Sequence, residues 1–265
     1  EAPLMAAVPA SRTGDRPSGK HRLKRVGENS VKQLVPQVLV LTGRILRRWG
    51  RDPATLVQSL VMPAGFLVAL DIVFGGVIEE VTGLSGLYGQ VPLVALVGGM
   101  MGAISGAVGI MREREVGLLS RFWVVPVHRA AGLLSRLFAE FLRIVLITLS
   151  VMGVGFAMGF RFHQGVLAAV AWVFMPALLG VALFAAVLTL ALYSANTIVP
   201  QATEIIVAML MFFSIGFVPL DQYPEWLQPI VEHQPVSYTI EAMRGLSLEG
   251  AIAEPVMFTL LWAVA

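Results

Sequence analysis

The fold class this sequence predicts is an all-α polytopic membrane protein, on three observations. Of its 265 residues, 57% are hydrophobic and the mean hydropathy is +0.78, whereas a soluble domain is usually about 45 to 50% apolar. Five apolar runs are each long enough to cross a hydrocarbon core roughly 30 Å thick, which takes about 20 residues. Lys and Arg are confined: residues 1 to 55 hold 11 of the 19, the stretch from Arg112 to Arg143 holds 6, and only Arg161 and Arg244 lie elsewhere. By the positive-inside rule, the N-terminal segment and the 112–143 stretch face the cytoplasm. Basic residues flanking apolar spans are explained by topology and anionic lipid, so no nucleic-acid partner is expected.

Residues 1 to 29 are rich in Pro, Ser, Gly and basic residues, with little periodic apolar content, and are expected to be disordered. Residues 30 to 265 are then expected to form one transmembrane domain. The first 30 residues have no apolar core of the kind a cleavable signal peptide carries. From Val31, the residues Leu34, Val35, Val38, Leu41, Ile45 and Trp49 mark one helical face, with Lys32, Arg44, Arg47, Arg48 and Arg51 away from it. That describes an interfacial helix leading into the membrane. Asp52 and Pro53 fit an N-cap followed by Pro at the first helical position.

Spans are expected near Thr55 to Ile78, Val91 to Met111, Phe141 to Phe160, Val166 to Leu192 and Ile198 to Val218. A sixth run begins at Pro255, but only eleven residues of it precede the end of the sequence. Six spans with both termini cytoplasmic are therefore expected, the sixth cut short here. Gly98, Gly102 and Gly106 stand four apart in the second span, a stripe that lets helix backbones approach closely, either within the bundle or between subunits.

The stretch REREVGLLSRFWVVPVHRAAGLLSRLFAE, from Arg112 to Glu140, interrupts the apolar runs. Arg112, Glu113, Arg114 and Glu115 are too many charges for a bilayer interior, where one central charge costs about 2.5 to 3.5 kcal/mol on insertion scales. Val116, Leu119, Phe122 and Trp123 recur at helical spacing, leaving Arg114, Gly117, Leu118 and Arg121 on another face. Pro126 should stop this surface helix. A second helix from about Arg129 carries the chain back into the lipid, so the two form an elbow. Between spans five and six, Pro219 to Glu254 is too polar to cross and too apolar for a simple loop. Pro224 and Pro235 suit the first turns of two short helices on the outer surface, and Gly245 the end of the second.

The chemistry of enzymes is missing from the sequence. There is no GxxxxGK followed by Ser or Thr to cradle a nucleotide phosphate, no HExxH and no GxSxG. Cysteine is absent, and His21, His128, His163 and His233 form no metal-spaced pair, so no metal, cofactor or catalytic residue is expected in this chain. Two acids sit inside apolar runs, Asp71 in span one and Glu204 in span five. Intramembrane acids are by default pathway candidates; the alternative is that each reaches headgroup water across about 10 Å of helix.

The alternating charges, the paired Leu and the wording VVPVHRAAGLLSR resemble the cytosolic coupling segment of type-2 ABC exporter permeases. The similarity is to doxorubicin-resistance permeases of the DrrB and DrrC kind, DrrC more than DrrB. A second stretch, FVPLDQYPEWLQPIVEHQPVSYTIEAMRG, resembles the extracellular re-entrant helix pair of the same family. The likeness runs from about Val38 to the end. It implies ATPase-coupling roles for Arg112, Glu113, Arg114, Glu115, Gly117, Leu118, Arg121, Pro126 and Arg129. It also implies a cytosolic DrrA-like ATPase that holds ATP and Mg, a second permease copy or DrrB-like partner, and contact with membrane lipid. Export of anthracycline-like drugs or of cell-envelope lipids such as phthiocerol dimycocerosate from the plasma membrane would follow. The competing class is a non-transporting membrane scaffold whose elbow binds a cytosolic partner, and an adjacent reading frame with a Walker motif would separate the two. The topology has a direct test, because the chain has no cysteine of its own. Single cysteines at Ser120 and Gln222 should label from opposite sides of an intact membrane, the second from outside; same-side labelling would overturn the span assignment.

Overall fold

A computed structural model describes residues 31–115, 129–194, 198–248, 250 and 252–264. The expectation of disorder over residues 1 to 29 lies outside them. Among the described residues the regular elements are all helical. Helix α1 (Val31–Trp49) is the amphipathic helix, and it lies along α4 (Arg129–Met158). Leu34, Val38, Leu41, Ile45 and Trp49 are partly buried, while Arg44, Arg47 and Arg48 are exposed. Buried Thr42 fixes the register by donating from Oγ1 to the Ser135 carbonyl at 3.1 Å.

The chain then enters α2 (Pro53–Thr82) through the cap that the sequence announces. Asp52 Oδ1 accepts from the Ala54 amide at 3.1 Å, Thr55 donates its hydroxyl to Oδ2, and Pro53 takes the first helical position. Those hydrogen bonds, the one from Thr55 foremost, hold the Asp52 carboxyl below its usual range. The helix contains two π turns, Val57–Val61 and Asp71–Gly75. It ends at Gly83, whose φ of 68° lies in the left-handed region that glycine adopts without steric cost.

Three further long helices follow: α3 (Leu87–Glu115), α4, and α5 (Val166–Ser194). With α2 they are the four described helices long and apolar enough to cross a membrane. Of the most apolar window of α3, 61% is buried, against 17% for α2. That difference makes α3 the central post and α2 a flank. Leu93, Leu96 and Ile104 are fully buried on α3, which packs against α4, α5, α6 (Ile198–Phe212) and α8 (Pro235–Ser247).

The fifth run is shorter than hydropathy suggests. Helix α6 stops at Phe212 rather than continuing to Val218, because buried Ser214 turns its hydroxyl back to the Met211 carbonyl (2.7 Å) and its own carbonyl accepts from the Phe217 amide (3.1 Å). At 15 residues it spans about 22 Å, less than the hydrocarbon core. Tyr223 completes the end of α6, its hydroxyl 3.0 Å from the Phe212 carbonyl.

Beyond α6 come α7 (Gln228–His233), α8 and α9 (Ala253–Val264). Pro235 opens α8, as its fixed φ favours. Pro224 does not open α7. It begins a preceding turn, in which its carbonyl accepts from Leu227 at 2.8 Å, and Pro229 occupies the first turn of the helix instead. Gly245 lies within the last turn of α8, which closes at Ser247. Helix α8 is mostly buried, and two of its hydroxyls are satisfied within the helix: Thr239 donates to the Pro235 carbonyl and Ser247 to the Met243 carbonyl, both at 2.8 Å. Its terminal carbonyls, which a helix cannot satisfy itself, meet the α4–α5 connection. Gln164 Nε2 donates to the carbonyls of Gly245 and Leu248 at 2.7 Å each, and the His163 amide to that of Ser247 at 3.0 Å.

Candidate functional site

The charges expected at the root of the elbow form the last turn of α3. Arg112 is exposed there. Glu113 turns its carboxylate back onto the bundle, where Oε1 accepts from Arg48 of α1 at 3.1 Å and Oε2 from Arg136 of α4 at 2.8 Å. Arg48 is 76% exposed, so its pair is worth little, on the order of 0 to 1 kcal/mol. Arg136 is only 18% exposed and makes the stronger contact. Three helices are thereby tied together where α3 ends. Arg114 and Glu115 belong to that turn through their backbone, and Arg129 opens α4. Gly117, Leu118, Arg121 and Pro126 lie outside the described residues.

A second charged layer stands two turns deeper along α3, about 10 Å from Glu113. Glu140 and Arg143, one turn apart on α4, are 2% and 7% exposed at their side chains. Glu140 Oε1 accepts from Arg143 Nε at 3.1 Å and from a terminal guanidinium nitrogen at 2.7 Å. The guanidinium also lies over the Trp49 ring of α1, 4.8 Å from its centroid, a cation–π contact worth up to about 2 kcal/mol when desolvated.

The glycine stripe of α3 faces this pair. A Cβ on Gly102 would stand 3.2 Å from the Arg143 guanidinium, and one on Gly106 only 2.5 Å from Glu140 Oε2. Gly98 meets Ile147 of α4 and Pro63 of α2 at 3.1 and 3.3 Å in the same way. The absence of side chains along one edge of α3 thus leaves room for two charged side chains between packed helices.

Asp71 and Glu204 are far less constrained. Asp71 opens the second π turn of α2, half-buried, its Oδ1 2.6 Å from where a Cβ on Gly75 would stand. Glu204 is exposed on α6. Neither acid has a hydrogen bond or ion pair among the described residues, so no direct bond joins them. Among the described residues no cluster of His, Asp and Glu is placed to hold a metal ion.

The family model for ABC-2 type transporters matches residues 36–248, which include all the geometry above. The chain belongs to this family. It is 46% identical over 235 residues to a Mycobacterium tuberculosis protein named "Probable doxorubicin resistance ABC transporter permease protein DrrC", covering 89% of this chain and 85% of that one. A more distant relative, the daunorubicin resistance ABC transporter permease protein DrrB1 of Streptomyces coeruleorubidus, is 27% identical over 206 residues, 77% of this chain and 72% of its own. This ABC-2 protein is a permease subunit, and ATP hydrolysis is not its own task.

Within the permease, the Glu140–Arg143 pair is what reading the sequence missed. Glu140 sits at the end of the polar stretch and Arg143 just inside the expected third span, so hydropathy gives no sign that the two face each other in the interior. Their spacing of three was the available signal, since it places acid and base side by side on one helix face. Removing one partner of a buried pair leaves an uncompensated charge, typically at a cost of about 3 to 5 kcal/mol, whereas apolar replacement of both can be neutral. Arg143→Met should therefore lower the thermal midpoint of the detergent-purified permease by several degrees, and adding Glu140→Leu should restore most of the loss. A double variant no more stable than R143M would show that the pair is not coupled.

Proposed function

We propose that this permease forms half of the membrane unit of an ATP-driven exporter for amphipathic compounds, with the elbow as the docking element for a cytosolic ATPase. The observation that supports the coupling role is Glu113, which ties α1, α3 and α4 at the root of the elbow. A push on the elbow would reach three helices at once rather than bend one. On this reading six spans cross the plasma membrane, α6 and α9 contributing the fifth and the sixth, with both termini in the cytoplasm and the α7–α8 pair on the outer side. A DrrA-like ATPase would supply ATP and Mg chemistry, and a second permease, DrrB-like or another copy, would complete the pathway. The substrate reading follows the printed names of the two relatives, one a doxorubicin and one a daunorubicin resistance permease. Anthracycline-like drugs are the first class to test and cell-envelope lipids, phthiocerol dimycocerosate among them, the second. Arg112, Arg114, Glu115, Gly117, Leu118, Arg121, Pro126 and Arg129 would form or shape the docking surface. Asp71 and Glu204 would face the substrate path, where a carboxylate can meet a cationic group.

Charge reversal at Arg114 and Arg121 together should weaken capture of the ATPase by more than tenfold, because losing a desolvated charge pair costs about 2 to 5 kcal/mol or more. Pull-down of the ATPase, with membrane abundance as control, measures this. Undiminished capture and export would remove the docking assignment. Asp71→Asn and Glu204→Gln keep size and remove charge, and each should reduce export of a cationic substrate more than of a neutral one. Equal export of both substrates by the two variants would place the acids outside the path.

A further inference from the structure

At the end of the bundle away from Arg48 and Glu113, a cavity of about 260 Å³ separates the far end of α2 and the start of α3 from the α7–α8 pair. Three charged side chains line it: Glu232 of α7, and Glu241 and Arg244 of α8. Glu241 and Arg244 stand three apart on one helix, where acid and base are neighbours. Even so, among the described residues none of the three makes an ion pair or hydrogen bond. Two carboxylates and a guanidinium thus border one space without a direct bond between them, and the carboxylate of Glu254 on α9 lies near enough to act on Glu241 as well.

The walls of that space are fixed by packing. Gly216 and Gly89 bring two backbones together, since a Cβ on Gly216 would lie 3.1 Å from the Gly89 carbonyl and 2.9 Å from Leu93 Cβ. Phe217 is held between Phe74 and Phe212, with ring centroids 5.3 Å away on each side. Behind the Gly86 wall, not lining the cavity itself, lies one further polar group. Gln90 is 2% exposed and neither of its amide atoms is hydrogen-bonded among the described residues, while its Nε2 lies 3.3 Å from where the wall residue Gly86 would carry a Cβ. A buried amide without a partner is rare and calls for one.

Size and charge select the ligand. The volume falls just below the roughly 300 to 1,000 Å³ of sites that enclose a drug-sized molecule, so the cavity suits a polar headgroup whose apolar remainder lies outside it. The same end of α2 exposes Val77 (59%) and Val81 (52%), a surface on which acyl chains can lie. We propose that this cavity binds the headgroup of an aminophospholipid, the ammonium between Glu232 and Glu241 and the phosphate on Arg244. A primary ammonium offers N–H donors to both carboxylates in charge-assisted hydrogen bonds, and a trimethylated one offers none. The site should therefore tell ethanolamine from choline lipids. It goes beyond the export reading and does not rest on it, because bound lipid is read at equilibrium without ATP or transport.

The test is native mass spectrometry of the purified permease after exchange with vesicles of equal phosphatidylethanolamine, phosphatidylcholine and phosphatidylglycerol. Phosphatidylethanolamine should be retained at least tenfold over phosphatidylcholine. Glu241→Gln and Arg244→Gln should each lower that retention by about tenfold, while Glu225→Gln, an exposed carboxylate outside the cavity, should not. Should either variant aggregate, Glu232→Gln on the exposed face of α7 gives the same readout. Glycerophosphoethanolamine, the headgroup without acyl chains, should compete only weakly; full displacement at equal concentration would reassign the site to a free zwitterion. Equal retention of the three lipids by the unmodified permease, or undiminished retention in the cavity variants, would overturn the proposal.

Discussion

The buried pair of Glu140 and Arg143 is the constraint around which the rest of the bundle is arranged. A buried charge left without a partner typically costs about 3 to 5 kcal/mol, and these two are 2% and 7% exposed. They are tolerated because each faces something suited to it. The carboxylate accepts two guanidinium hydrogen bonds, and the guanidinium has the Trp49 ring on its other side. Both need space between helices, which Gly102 and Gly106 supply by lacking a side chain. Moving α3 along α4 by one residue would bring a Cβ or a larger group against the pair, so the register of the two central helices follows from one ion pair and two glycines. Trp49 extends the same constraint to α1 at its membrane end.

The other end of the bundle is held by a different kind of bond. There the α8 carbonyls accept from Gln164 and His163, so the α4–α5 connection is tied to the last turn of α8. Phe156, Phe160, Phe162 and Trp172 pack beside it in tilted and edge-to-face contacts, ring centroids 5.2 to 6.1 Å apart. Apolar packing gives little preference for one register between helices in lipid, because lipid tails are as apolar as the helices. Directional bonds at both ends supply that preference. The ion pairs fix one end and the carbonyl caps the other, with the small-residue seam between them.

Long apolar runs and basic clusters made the helical architecture legible, because length and charge are local properties of the chain. The Asp52–Pro53 cap was legible for the same reason. Where an element's end depends on tertiary contact, reading failed. Helix α6 stops at Phe212 because Ser214 bonds backwards and Gly216 must meet Gly89, and neither event leaves a mark in hydropathy. Pro224 has the chemistry of a helix start, yet Pro229 is better placed once Tyr223 is anchored to the Phe212 carbonyl. The charges at Arg112 to Glu115 were visible, but the inward turn of Glu113 was not, because Arg48 lies 65 residues away from it in the chain.

On the proposed coupling role, motion from the elbow would meet two charged layers in turn. Glu113 is tied to α1 and α4 by partly solvated bonds, of which the Arg48 arm is 76% exposed and readily exchanged for water. About 10 Å deeper, the Glu140–Arg143 pair and its Trp49 contact are dry, and breaking them carries a penalty several times larger. If the elbow couples as proposed, displacement at its root would rearrange the outer layer while the inner one keeps α1, α3 and α4 in register. Helix α2, with two π turns and little of its surface buried against its own chain, is the long helix held least tightly by the bundle.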